Sequence, residues 1–201
     1  GYNRPLLTWY TGGCVVLPVS DDLARPIVSE GVNVITVTVA DLESILDRLP
    51  ASFLRNDAIR VGLVGSSPSW ALVERALERL TRDINVQLGS TEAGTVASTR
   101  IVSPDDLRSH EILSSRQVVI VDENDEPAPA GETGNVKIRL RHNDGRAYFE
   151  APDETARFFQ GDWFLPGDLG RLDERGRLEL LGRTTEVICI SGNKISTLPF
   201  E

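Results

Sequence analysis

Three short stretches collect the residue types that phosphate and ribose chemistry uses. In "GSTEAG", residues 89–94, Gly89 lets the backbone come close to a ligand, while Ser90 and Thr91 offer hydroxyl donors to phosphate oxygens. Glu92 adds a hard oxygen ligand, and Mg2+ is commonly held by one or two carboxylates together with substrate phosphates. A surface turn favours the same small polar residues. In "WFLPGDLGRLD", residues 163–173, the Asp168 carboxylate could accept hydrogen bonds from two neighbouring hydroxyls, such as the 2′ and 3′ pair of a ribose. Its plain alternative is a turn aspartate ahead of a hairpin. Arg183 follows that hairpin, where a guanidinium could reach ribose or phosphate oxygens or be a solvated surface arginine. Gly65, Ser66 and Ser67 end an apolar run and lead into a helix start. A nucleotide ring could lie against that backbone, or the segment is only a cap.

Other chemistries find little support. His110 and His142 stand alone in polar segments and no Cys-x-x-Cys occurs, so no zinc site is expected. Cys14 and Cys189 sit in apolar, strand-like settings, where two buried thiols in a reducing, cytoplasmic compartment are expected. The formal charge is −9, with no clustered basic stripe of the kind a nucleic-acid partner would need. No run approaches the ~20 apolar residues of a membrane span, and the opening "GYNRPLLTWY" lacks a basic-then-apolar signal pattern. The 201 residues include no methionine, which reads as a piece of something longer or a processed product.

Elements that could position these residues follow from periodicity. Strands are expected at "CVVL" (14–17), "NVITVTV" (33–39), "IRVGLV" (59–64) and "INVQL" (84–88), apolar on both faces as doubly covered strands must be. Helices fit residues 40–49 and the stretch after Ser67, with Ser67 as N-cap and Pro68 as first helical residue. Leu72, Val73, Ala76, Leu77 and Leu80 would form its buried stripe. Alternating strands and helices predict an α/β fold, a parallel sheet with flanking helices. The second half predicts a small antiparallel barrel or meander. Two strands flank a Pro/Gly-rich segment in residues 116–141, and residues 169–183 form a hairpin. Asp173 to Gly176 supply its turn, with Leu172, Leu178 and Leu180 on one face.

The order and spacing of these stretches, with "GETGNVKIR" and "SGNKIS" between and after them, resemble the adenylate-forming superfamily over essentially the whole chain. That superfamily holds acyl-CoA synthetases, non-ribosomal peptide synthetase adenylation domains and luciferases. The resemblance implies an α/β subdomain over 1–110, a β-rich subdomain over 111–183 and the start of a truncated C-terminal lid over 184–201. It implies activation of a carboxylic acid by Mg2+ and ATP, giving an acyl-adenylate, then transfer to a thiol of coenzyme A or of phosphopantetheine on an acyl carrier protein. Thr91 would contact phosphate, Glu92 the magnesium, and Asp168 and Arg183 the ribose of ATP or AMP. Gly65, Ser66, Ser67, Gly89 and Ser90 would complete the nucleotide site, and Thr185 would be the hinge.

Three positions depart from the family pattern. Leu88 replaces an adenine-packing aromatic, Pro166 a threonine, and Thr185 an aspartate or lysine. The phosphate loop with its lysine and the lid lysine fall outside these residues, so the chain alone is expected not to form adenylates. A non-catalytic relative, binding nucleotide or another protein, is the alternative. The absence of an early acidic partner for an α-amine favours a fatty or aromatic acid.

Overall fold

The computed structural model describes residues 3–18, 20–184, 187–190 and 193–196. They form two compact units, Gly1–Val86 with Arg100–Val102 and Gln87–Thr99 with Ser103–Glu201.

The first unit runs α1 (Asn3–Tyr10), α2 (Ala24–Ser29), β1 (Val34–Val37), α3 (Val39–Arg48), β2 (Arg60–Leu63) and α4 (Trp70–Arg79). β3 (Asp83–Ser90) follows and continues into the second unit, where β4 (Gly94–Arg100) begins. β1, β2 and β3 pair in parallel, with Val34 opposite Arg60 and Arg60 opposite Asp83. The sheet order is β1-β2-β3-β4. Parallel neighbours need a crossover, and α3 and α4 supply it. Leu42 and Ile45 of α3, Val73 and Ala76 of α4, and Val61, Leu63 and Ile84 of the strands are buried. The predicted stripe on α4 is thus the packed face, with Leu72 and Leu77 at its half-buried margin.

Local chemistry sets the helix starts. Thr38 and Asp41 form a reciprocal capping box at α3. At α4 the cap is Ser69, whose hydroxyl accepts from the Leu72 N–H. The expected cap at Ser67 is therefore corrected by two residues, because Pro68 is buried ahead of the helix rather than forming its first turn. The strand expected at 14–17 does not form, and Cys14 is exposed. A β-branched run needs a neighbouring strand, and none pairs with it among the described residues. The burial expected of Cys189 lies outside what is described.

The second unit holds β5 (Val118–Val121), β6 (Gly134–Arg139), α5 (Pro152–Phe158), β7 (Phe159–Gln160), β8 (Trp163–Phe164), β9 (Asp168–Leu172) and β10 (Leu178–Arg183). β11 (Val187–Ile190) and β12 (Asn193–Ser196) make a separate two-stranded sheet. The larger sheet runs β10-β9-β6-β8-β7, with β5 also antiparallel to β6. No pairing closes it among the described residues, so the closed-barrel form is not seen there. Val96, Val118, Ile120, Val136, Ile138 and Phe164 are among its core residues.

The β9–β10 hairpin forms as predicted. Asp173 accepts from the Arg175 and Arg177 N–H groups, and Gly176 takes a φ of 73°. Leu172 and Leu178 pair across it, while Leu180 is exposed beside an irregularity in register. His110, expected in a polar segment, is buried. Burial and the Arg177 charge push its pKa below the ordinary value. Among the described residues no helix is long and apolar enough to cross a membrane.

Candidate functional site

The GSTEAG segment joins two sheet neighbours. Ser90 closes β3, Gly94 opens β4, and Thr91, Glu92 and Ala93 turn between them. Gly89 is required here for the protein's own packing. A Cβ on it would lie 2.3 Å from the Gly94 carbonyl oxygen, closer than any real contact. Ser90 Oγ accepts from the Ala93 N–H at 3.1 Å and tightens the turn. Ala93 is buried, Glu92 half-buried and Thr91 exposed. Leu88 packs against the core of the second unit.

Glu92 is held from several directions. The Tyr148 hydroxyl donates to Oε1 at 2.7 Å, and the Gly145 N–H donates to the Glu92 backbone carbonyl at 2.8 Å. Burial works to raise the pKa of this carboxyl. Hydrogen bonds from Tyr148, its own backbone N–H and Ser90, with the Arg183 charge, nevertheless hold it below the ordinary 4.5. Burial and the bond to Glu92 push the Tyr148 phenol up to about 12. At neutral pH the pair is a carboxylate facing a phenol that keeps its proton.

Asp168 and Arg183 stand opposite each other across β9 and β10. Arg183 Nε lies 2.9 Å from Asp168 Oδ1, and its Nη1 donates to the Pro166 carbonyl at 2.9 Å. Their meeting depends on a shift of register between Leu180 and Gly182, a β-bulge of one extra residue. Leu180 faces Gly170, but Gly182 faces Leu169 and Arg183 faces Asp168. In unbroken register Gly182 would oppose Asp168. Such bulges re-aim side chains at sheet ends. The Arg183 charge also acts on Glu92, so Glu92, Asp168 and Arg183 belong to one electrostatic neighbourhood within the second unit.

Gly65, Ser66 and Ser67 lie in the first unit, exposed where β2 ends, with Gly65 at a φ of 97°. Thr185 lies outside the described residues. Among the described residues no group of three or more His, Cys, Asp or Glu could hold a metal. A single fixed carboxylate is still the donor set suited to Mg2+ that arrives on phosphates, and Glu92 fits that description.

Tyr148, Gly145, Arg116 and Asp144 were not anticipated. The aromatic run Tyr148, Phe158 and Phe159 was the one available signal. Tyr148 stacks edge-on against both phenylalanines.

No model of a protein family matches the chain. Among curated proteins it is 29% identical to a salicylyl-CoA synthase / salicylate adenylyltransferase of Streptomyces sp over 98% of its length and 38% of the relative's. It is 33% identical to triostin synthetase I of Streptomyces triostinicus over 92% of its length and 36% of the relative's. In structure it resembles the amide bond synthetase McbA from Marinactinospora thermotolerans, with a TM-score of 0.82 and 25% identity over 96% of this chain and 41% of that one. The chain belongs to the adenylate-forming superfamily. The likeness to the O-succinylbenzoate coenzyme A synthetase MenE of Bacillus subtilis, in complex with ATP and magnesium ion, concerns the fold. Its TM-score is 0.80 at 24% identity, over 98% of this chain and 42% of that one. The chain spans well under half the length of the curated relatives it matches.

Proposed function

We propose that the chain is part of an ATP-dependent enzyme that activates a carboxylic acid as its acyl-adenylate and passes the acyl group to a thiol. The observation that carries this reading is the grouping of Glu92, Asp168 and Arg183 in one electrostatic neighbourhood. The carboxylate of the substrate attacks the α-phosphorus of ATP, pyrophosphate leaves, and a thiolate then attacks the acyl carbon and releases AMP. Neither step needs a nucleophile from the protein, so catalysis consists of positioning and charge stabilisation.

Asp168, oriented by Arg183, accepts from the ribose hydroxyls, and Thr91 donates to a phosphate oxygen. Glu92 would hold Mg2+, which when bound neutralises charge on the phosphates. Gly89 and Ser90 shape the turn beneath the phosphates. Gly65, Ser66 and Ser67 line the adenine and acyl pocket, and Thr185 serves as hinge. The domain divisions at 110 and 183 and a cytoplasmic location belong to the same proposal.

An aromatic or fatty acid is the substrate favoured. The relatives named for salicylate and for medium-chain fatty acids support that class. The acceptor is coenzyme A or phosphopantetheine on an acyl carrier protein. Because the phosphate-loop and lid lysines fall outside these residues, the 201-residue chain alone should not catalyse ATP–pyrophosphate exchange.

Calorimetric titration of AMP into the chain, with Asp168→Ala as control, tests the nucleotide site. Binding lost in the variant supports it, and equal binding by both removes Asp168 from it. A second reading, a non-catalytic nucleotide- or protein-binding module, draws on Leu88, which packs into the core where an adenine-packing aromatic was expected. Pyrophosphate exchange by the full-length protein with pooled aromatic and fatty acids would remove that second reading.

A further inference from the structure

We propose that the loop of residues 141–148 is a clamp on Glu92, with Tyr148, Asp144 and Arg116 as positioning residues that set its carboxylate for a phosphate-borne divalent cation. This rests on the assignment of Glu92 as the magnesium ligand.

A glutamate on a half-exposed turn would otherwise sample many rotamers. Here it is fixed at both ends, its carbonyl by the Gly145 N–H and its Oε1 by the Tyr148 hydroxyl. Tyr148 is itself constrained. Its ring meets Phe158 at 6.0 Å and 86°, and Phe159 at 5.2 Å and 68°. Its N–H donates to Thr155 Oγ1 on α5 at 2.9 Å. The other end of the loop is tied to β4. Arg116 donates through Nε to the Thr95 carbonyl at 3.1 Å and through its two terminal nitrogens to both oxygens of Asp144. Asp144 also accepts from the Arg141 N–H at 2.9 Å. The Arg116 and Asp144 side chains are 0% and 4% exposed, so the anchor is a buried, bidentate pair. Such planar pairing fixes orientation as well as distance.

The Arg116–Asp144 pair ties the loop to β4 through the Thr95 carbonyl. The Tyr148 hydroxyl does something different: among the described residues it donates to the Glu92 carboxylate alone. Groups that orient a metal-binding side chain typically alter metal affinity by about 10- to 100-fold when removed.

Tyr148→Phe keeps the ring and deletes the hydroxyl, which isolates that effect. Mn2+ serves as a spectroscopic stand-in for Mg2+ and is titrated by electron paramagnetic resonance into the 201-residue chain with saturating ATP. AMP without metal and the thermal midpoint are measured in parallel. Tyr148→Phe should weaken Mn2+ about tenfold while AMP affinity and midpoint stay with the wild type. Asp144→Asn should weaken Mn2+ as well, with a lowered midpoint, and Glu92→Gln should abolish the metal response.

A Tyr148→Phe chain that binds Mn2+ as tightly as wild type overturns the clamp. So does one that loses AMP, metal and midpoint together, since that is a packing role. A wild type that binds AMP but no Mn2+ overturns the clamp while sparing the nucleotide site. A wild type that binds neither overturns the nucleotide reading and the clamp with it.

Discussion

Glu92 was visible in the sequence as a candidate ligand, and Asp168 and Arg183 as candidate ribose contacts, because each lies in a compact run of small and polar residues. Their supports were not visible. Tyr148 is separated from Glu92 by 56 positions, and Asp144 from Arg116 by 28. No local pattern announces a contact that only tertiary packing creates. Asp144 makes a direct prediction. Burial alone would raise its carboxyl, but the Arg141 N–H and the Arg116 guanidinium outweigh burial and hold it below the ordinary 3.8. A depressed carboxyl stabilises the fold above its unfolded value, and that contribution disappears as pH falls through the native one. The wild-type thermal midpoint should therefore drop more steeply below about pH 4 than that of Asp144→Asn. At pH 7 the variant should be the weaker by about 3 kcal/mol, the cost of stranding a buried charge. Parallel pH curves that never converge in acid would contradict this.

At the scale of elements, periodicity located α3, α4, β1, β2, β3 and the β9–β10 hairpin, since each carries its own pattern of burial or turn residues. It misjudged what depends on neighbours. Residues 14–17 have strand composition but gain no partner strand, and Leu180 leaves the hairpin's apolar face at the irregularity in register. The helix start at α4 was placed two residues early because Ser67-Pro68 imitates a cap and first turn. The two serines can be told apart by experiment. Ser69→Ala should cost about 1 kcal/mol in urea unfolding. Ser67→Ala should cost nothing measurable, because its side chain caps no helix. The reverse order would restore the sequence-based start.

At the scale of the molecule, the alternation of strand and helix foretold the parallel sheet, and the turn-rich second half foretold antiparallel pairing. The boundary between the two compact units falls inside β3, where no change of composition marks it. The first unit also presents Leu6, Leu7, Trp9 and Tyr10 of α1 to solvent, Tyr10 at 91% exposure. Contiguous exposed apolar surface promotes association. Sedimentation of the 201-residue chain should show concentration-dependent growth that Leu6→Lys with Leu7→Lys suppresses. Monomeric behaviour at all concentrations would mean that this surface is not adhesive.

The extra residue in β10 makes the interval between Asp168 and Arg183 a ruler. A substitution inside the hairpin changes one contact, but loss of the bulge with the residue count unchanged would bring Gly182 opposite Asp168 and carry Arg183 one position past it. Descent should therefore keep the extra residue and the bulge together in this segment, or lose both together. A related sequence one residue shorter in β10 would have straightened the strand and kept the pair, whereas one that straightened it at the same count would have kept the letters and lost the pair.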